Sequence, residues 1–110
     1  MTSDNYQSNY GDIEPARAEI DALKGPTVLE FGAPDCSYCK WAQPNIQAVI
    51  RDNPAVKHLK IEDGSGRPLG RSFQVRLWPT LVVLKDGVEV ARAVRPSGLA
   101  EIKEAVAKSL

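Results

Sequence analysis

Residues 27–40 read TVLEFGAPDCSYCK, a short apolar run, a Gly/Pro break and two cysteines three positions apart. The run is rich in β-branched and aromatic residues, which predicts a buried strand. Gly32 and Pro34 end this strand, and a helical pattern begins near Cys36. The free N–H groups at the start of that helix, and the positive end of its dipole, then face the first thiol. This arrangement favours the thiolate, which is the nucleophile in disulfide exchange.

The spacing of the two cysteines limits the chemistry that they can carry. Cys39 lies one helical turn after Cys36, close enough to close a disulfide. Two cysteines placed at random in a chain of this length are three apart in only about 2% of cases. A zinc site would need two further ligands, and His58 is the only other soft ligand in the sequence. Zinc would therefore need a site shared between two copies, and the pattern favours a redox pair without metal or cofactor.

Composition indicates one globular domain. The chain has 110 residues, 43% of them hydrophobic, which is enough for one core. Its 14 basic and 14 acidic residues balance without a long run of either sign, so we expect no nucleic-acid or membrane partner. No apolar run is long enough to span a bilayer. The polar N-terminus lacks the pattern of a secretory signal, and with the two cysteines it predicts a cytoplasmic, reducing environment.

Four short motifs follow one another in a characteristic order along the chain. They are Cys36-Ser37-Tyr38-Cys39, Pro44, Trp78-Pro79-Thr80 and Lys85-Asp86-Gly87. In this order they resemble the dithiol, the helix-kinking proline, the cis-proline loop and the final hairpin turn of the thioredoxin family. The resemblance covers the chain from Ile13 to the C-terminus. It implies an α/β thioredoxin-like fold: a central mixed sheet of four strands, or five if the N-terminal segment adds one, with helices on both faces.

Periodicity and breaker residues predict where the elements lie. We predict a flexible N-terminal arm over residues 1–11 and a thioredoxin-like domain over 12–110. Strands are expected at 27–32, 56–62, 80–84 and 88–94. Helices are expected at 13–23, 36–51, 68–74 and after Ser97, which we predict to be the N-cap of the last one.

The resemblance and the helix geometry together imply a thiol–disulfide oxidoreductase. We predict that Cys36 is the nucleophile and Cys39 the resolving thiol, and that the protein reduces protein disulfides with electrons from an unidentified reductase, as a monomer. Glu30 is the one charge in the first strand, and thioredoxins carry an aspartate at the matching position that shuttles the proton of the second cysteine. We expect burial to disfavour its charged form and Glu30 to act as general base for Cys39. His58 is a candidate for the same proton network, although a solvated strand histidine is the favoured interpretation.

Five residues are predicted to form the substrate-binding rim, namely Asp35, Tyr38, Trp78, Pro79 and Arg95. The resemblance implies a cis Pro79. Asp35 stands where thioredoxins have tryptophan. Arg95-Pro96 stands where thioredoxins have a glycine that lets the substrate approach the dithiol. We expect the bulky cation of Arg95 to narrow this substrate groove or to change its charge. The ring of Trp78 is expected either over the cysteines or half-buried in its loop. Trp41, just inside the helix, is expected to serve packing and not recognition.

Three other functions stay open at this point. Tyr38 before the second cysteine resembles glutaredoxins, although residues 84–88 read as a plain hairpin. A thiol oxidase or isomerase uses the same dithiol at a higher reduction potential. The altered rim also suits a redox-sensitive adaptor, whose cysteines regulate the affinity for a partner.

Overall fold

The computed structural model describes residues 4–110, and β1 lies at the centre of its sheet. In chain order the elements of this part are α1 (Arg17–Asp21), β1 (Pro26–Gly32), α2 (Ser37–Arg51), β2 (Lys57–Glu62), α3 (Pro68–Ser72), β3 (Thr80–Lys85), β4 (Val88–Val94) and α4 (Leu99–Ala107). The spatial order is β2-β1-β3-β4, with β1 parallel to β2 and antiparallel to β3. This confirms the predicted mixed four-stranded sheet, and residues 4–11 add no fifth strand to it.

Alternation along β1 divides the interior into two cores. Side chains of a strand point to opposite faces in turn. Val28 accordingly packs with α2 and α4, and Leu29 and Phe31 pack on the opposite face with residues of α1 and α3. Helices therefore cover both faces, and Glu30, which is two positions after Val28, points to the side of α2.

Two predictions about helix ends are wrong. The first helix begins at Arg17, not Ile13, whose side chain is 86% exposed. Glu14 lies before the helix, and its carboxylate accepts a hydrogen bond from the backbone N–H of Leu69 at 3.0 Å, a contact with a distant part of the chain. Gly98, not Ser97, is the N-cap of α4, since the Ser97 hydroxyl donates to the carboxylate of Glu101.

The described part of the N-terminal segment, residues 4–11, lies along the edge strand β2. The amide of Asn5 donates to three carbonyls at the end of α2 and the start of β2, at 2.8–3.0 Å. The backbone N–H of Gln7 donates to Nδ1 of His58, and the backbone N–H of Gly11 donates to the carbonyl of Lys60. Composition predicts a loose arm here, whereas the structure holds residues 4–11 by hydrogen bonds. Composition does not indicate these bonds, because they join groups about 50 positions apart and leave no local periodic pattern.

No helix within residues 4–110 is both long and apolar enough to cross a membrane.

Candidate active site

Cys36 is the N-cap of α2, a helix of 15 residues. Its backbone is extended, and its sulfur accepts a hydrogen bond from the backbone N–H of Cys39 at 3.1 Å. The side chain is partly exposed, and both cysteines are free thiols. A sulfur in this position receives the N–H groups and the positive dipole end of the helix, which stabilise a thiolate that a substrate can reach.

Cys39 has a different environment one turn further on. Only 2% of the residue is exposed. Burial raises the pKa of its thiol to about 12, and the hydrogen bond to Cys36 and the charge of Glu30 act in the same direction. The backbone N–H of Ala33 opposes them. Cys39 is therefore a protonated thiol at neutral pH that must lose its proton before it can attack a disulfide.

Glu30 is completely buried, as predicted, and both of its oxygens accept hydrogen bonds. Nε2 of His58 lies 2.9 Å from Oε1, and the amide nitrogen of Gln43 donates to Oε2 at 2.7 Å. The same amide donates to the carbonyl of Cys39 at 2.8 Å, which links the carboxylate to the dithiol helix. His58 is 2% exposed, so the solvated histidine favoured from the sequence is wrong.

Tyr6 and Tyr10 extend this network from the N-terminal segment. The ring of Tyr6 stacks on His58 with centroids 5.1 Å apart, and its hydroxyl bonds to the side-chain oxygen of Gln43. The hydroxyl of Tyr10 and the thiol of Cys39 lie over the same glycine, each less than 3 Å from the place of a Cβ on Gly32. Sequence reasoning missed both tyrosines, since a polar segment without periodicity carries no signal for what it covers.

A cavity of about 430 Å³ opens beside Cys39. Residues of the N-terminal segment, α2 and β2 line it, among them Asn9, Tyr10, Lys40, Gln43 and Lys60. Cys39 therefore borders this cavity, although little of its own surface is exposed.

The predicted rim residues form a chain of contacts around the proline loop. The Trp78–Pro79 bond is cis, as the resemblance implies. Nε of Arg95 donates to the carbonyl of Trp78 at 2.9 Å, and the hydroxyl of Tyr38 donates to the carbonyl of Arg95 at 2.7 Å. Asp35 is exposed at the turn before the dithiol. The structure thus brings Tyr38, Trp78, Pro79 and Arg95 together.

The two tryptophans lie in different surroundings. The indole N–H of Trp78 donates to the carboxylate of Asp63 at 2.9 Å, so the half-buried ring is held at the loop after β2. Trp41 is 58% exposed and packs edge-on against Tyr38, with ring centroids 5.5 Å apart, so its packing is at the surface and not in the core. An aromatic pair, with Trp41 exposed and Tyr38 partly buried, therefore lies beside the dithiol.

No group of three or more His, Cys, Asp or Glu side chains with metal-site spacing occurs in the described residues. The reactive groups that the fold does assemble are an exposed sulfur at a helix N-terminus, a buried partner thiol and a buried carboxylate. A four-stranded mixed sheet carrying such a dithiol after its central strand is the arrangement of a thiol–disulfide oxidoreductase.

Comparison with known proteins places the chain within one family. The family model Thioredoxin matches residues 14–108. Thioredoxin of Chlamydia trachomatis is 38% identical over 89 residues, which cover 80% of this chain and 78% of that protein. The structure of thioredoxin 2 from Pseudomonas aeruginosa in its reduced form superposes with a TM-score of 0.81 at 54% identity, over 91% of this chain and 93% of that one. Thioredoxin NaTrxh of Nicotiana alata gives a TM-score of 0.70 at 28% identity, over 84% and 80%.

The chain belongs to the thioredoxin family. It is a thiol–disulfide oxidoreductase with disulfide reductase activity, which confirms the predicted fold and activity. The glutaredoxin-like, oxidase or isomerase and adaptor alternatives are not favoured by these relatives.

Proposed function

We propose that this protein reduces disulfides of protein substrates, with Cys36 as the attacking thiol and Cys39 as the resolving thiol. The observation that carries the assignment is the contrast between the two sulfurs. Cys36 is partly exposed at the start of a long helix and accepts an N–H hydrogen bond, whereas Cys39 is buried. Only the first combines access for a protein substrate with stabilisation of the thiolate.

In the first step the Cys36 thiolate attacks one sulfur of the substrate disulfide. The substrate S–S bond breaks, a mixed disulfide forms, and the other substrate sulfur leaves as a thiolate. In the second step Cys39 loses its proton and attacks the sulfur of Cys36. A Cys36–Cys39 disulfide forms, and the second substrate sulfur leaves with the electron pair of the broken bond and takes up a proton.

Glu30 is proposed as the base that takes the Cys39 proton. It lies on the strand beneath the dithiol helix, and Gln43 joins its carboxylate to the carbonyl of Cys39. His58 and Gln43 fix the orientation of the carboxylate by one hydrogen bond to each oxygen. A fixed acceptor in a site with little water is the arrangement that general-base catalysis needs.

Asp35, Tyr38, Trp78, Pro79 and Arg95 are proposed to contact the substrate around the mixed disulfide. Pro79 is buried, and its carbonyl accepts a hydrogen bond from the backbone N–H of the exposed Arg95. Pro79 itself lacks an N–H that would pair with neighbouring backbone. The guanidinium of Arg95 donates a hydrogen bond to the carbonyl of Trp78. A substrate segment must therefore bind the second lone pair of this carbonyl or displace Arg95. We expect the charge and the width of the segment to decide whether it can do so.

An electron-donating reductase is proposed to regenerate the dithiol, in a cytoplasmic cycle of electron transport that serves cell redox homeostasis, with the protein acting as a monomer. Two cysteines in the whole chain, three positions apart, are typical of a cycling disulfide in a reducing compartment, where structural disulfides are rare.

Substitution of each cysteine tests the assignment. Cys36→Ser should abolish reduction of insulin disulfides, whereas Cys39→Ser should still attack and accumulate mixed disulfides. Both can be followed by non-reducing gel electrophoresis and mass spectrometry of trapped products. Equal trapping by the two variants, or reduction by Cys36→Ser, would overturn the assignment of the nucleophile.

A further inference from the structure

Tyr10 and Cys39 place their hydroxyl and thiol over one glycine, Gly32. A methyl group on Gly32 would lie 2.7 Å from the hydroxyl oxygen of Tyr10 and 2.8 Å from the sulfur of Cys39. Both distances are far below an ordinary contact of carbon with oxygen or sulfur. The hydroxyl and the thiol therefore border the space that a side chain at position 32 would fill, and glycine is what leaves both of them room there.

Tyr10 is held in this position by neighbours on both sides. The N–H of Gly11 donates to the carbonyl of Lys60 at 3.1 Å, and the ammonium group of Lys60 donates to the carbonyl of Ser8 at 2.9 Å. The same ammonium group lies 4.9 Å from the centroid of the Tyr10 ring, a cation–π distance. The hydroxyl is thus fixed before any reaction occurs, so it needs no reorganisation when charge develops on the sulfur.

We propose that Tyr10 is a further catalytic residue of this site, whose hydroxyl donates a hydrogen bond to the sulfur of Cys39 and stabilises the thiolate that resolves the mixed disulfide. The inference rests on the proposed order of the two thiols. In the resolving step Cys39 gives its proton to Glu30 and attacks Cys36, and the electron pair of the broken bond leaves with the substrate sulfur. Tyr10 keeps its own proton throughout.

The hydroxyl has the protonation state that this role requires. Burial and the neighbouring thiol charges raise the pKa of Tyr10 well above its ordinary value of 10, so it stays a donor at any pH at which the protein works. A hydrogen bond to a charged sulfur is stronger than one to the neutral thiol, so the contact gains most when the thiolate forms. That gain offsets part of the cost of charging a buried sulfur.

Several charged or titratable groups lie around Cys39 on the elements packed against it. Each of them affects how the rate of resolution of the mixed disulfide by Cys39 depends on pH. They are Glu30 on β1, Lys60 and Glu62 on β2, Cys36 and Lys40 on α2, and Tyr10 itself. A mixed disulfide on Cys36 removes that thiol from the titration, which leaves Cys39 as the reacting group.

The test uses the full-length protein with a thionitrobenzoate group on Cys36. The adduct is formed at low pH, where Cys39 is protonated, and a jump to higher pH starts the attack of Cys39, which releases the coloured thionitrobenzoate anion. Tyr10→Phe removes only the hydroxyl and keeps the ring over Lys60. We expect the release to slow by about ten- to a hundredfold, as for loss of one hydrogen bond to a charged group, and its pH profile to move to higher pH.

Tyr6→Phe is the matched comparison, because it also removes one hydroxyl from the same segment but that hydroxyl contacts Gln43, not the thiol. We expect a smaller effect on the rate and no shift of the profile. A Tyr10→Phe profile that coincides with wild type, or an equal shift in Tyr6→Phe, would overturn the role of Tyr10. A wild-type adduct that does not release thionitrobenzoate would overturn both this role and the proposed order of the thiols.

Discussion

Nε2 of His58 lies 2.9 Å from Oε1 of Glu30, and neither side chain is exposed to solvent. The backbone N–H of Gln7 donates to Nδ1 of the same ring at 2.9 Å, so Nδ1 is the acceptor and Nε2 carries the hydrogen. His58 therefore donates to Glu30, and Gln43 donates to the other oxygen. The buried carboxylate has a donor for each oxygen, which is how proteins accommodate such a group.

The first prediction concerns Glu30→Gln. We expect resolution of a mixed disulfide to slow by about ten- to a hundredfold, because an amide cannot take the proton of Cys39. One oxygen of the new side chain still accepts from His58, but its N–H group meets the N–H group of Gln43. The free energy of unfolding should therefore fall by about 1–3 kcal/mol, the cost of an unpaired buried polar group.

The pH dependence of thionitrobenzoate release and urea denaturation measure the two effects of Glu30→Gln. Glu104→Gln, the same change at an exposed position of α4, is the control and should alter neither. A Glu30→Gln variant with the wild-type rate and pH profile would show that Glu30 is not the base.

A second prediction concerns Arg95, which has a positive φ of 46° and binds the carbonyl of Trp78 through its side chain. Glycine adopts this backbone conformation without the strain of about 1–2 kcal/mol that an L residue carries. Arg95→Gly should therefore fold, free the carbonyl of Trp78 and widen the groove. We expect kcat/KM for protein disulfides to rise by about two- to tenfold, the effect of removing one competing hydrogen bond.

Arg95→Lys is the control, because it keeps the positive charge and the backbone strain but loses the guanidinium nitrogen. A small-molecule disulfide, which does not span the groove, should react equally with all three proteins. Unchanged or slower reduction of insulin by Arg95→Gly would contradict a gating role for Arg95.

The third prediction is a double-mutant cycle on Gly32 and Tyr10. Gly32→Ala should lower the free energy of unfolding by about 1–3 kcal/mol, because the added methyl displaces the Tyr10 hydroxyl or the Cys39 sulfur. In a Tyr10→Phe background one of the two clashing atoms is gone, so the same change should cost less. Gly11→Ala, whose methyl meets only a carbonyl oxygen at 3.9 Å, is the control. If the effects of Gly32→Ala and Tyr10→Phe on the free energy of unfolding add strictly, the Tyr10 hydroxyl does not lie over Gly32.

The fourth prediction is a loss of stability at alkaline pH. The pKa of Cys39 is raised from an ordinary value of 9.0 to about 12 in the folded protein, chiefly by burial. The folded state therefore holds a proton that the unfolded state has released, so the stabilisation is complete below about pH 9 and is lost as the pH rises towards 12. Tyr10 contributes in the same direction, because burial also raises its pKa.

Urea denaturation of the reduced protein and of Cys39→Ser over this range isolates the contribution of the thiol. The difference in unfolding free energy between the two proteins should fall as the pH increases. A difference that stays constant through the alkaline range would show that Cys39 is not desolvated in the folded state.

Much of the site could be predicted from local sequence. The apolar run at 27–32, the Gly/Pro break and the Cys-x-x-Cys spacing predict a strand, a turn and a helix N-terminus from contacts within a few residues. The hairpin at Asp86-Gly87 and strand 88–94 were predicted with the correct bounds for the same reason. The burial of Glu30 also followed from sequence, since a central strand covered on both faces leaves its side chains no route to water.

Tertiary structure alone decided what surrounds that carboxylate and the buried thiol. His58 and the N-terminal segment reach this site from positions that are distant in the chain, through single contacts without periodicity. Gln43 lies one turn after Cys39 on the same helix, but only the packing of α2 on β1 brings its amide to Glu30. The polar composition of residues 4–11 is equally compatible with a loose arm, and only the free donors and acceptors along the edge of β2 fix it in place. The dithiol and its strand–helix frame thus follow from the sequence, because they depend on contacts between residues close together in the chain. The long-range packing of the edge strand determined the partners that control the proton of Cys39.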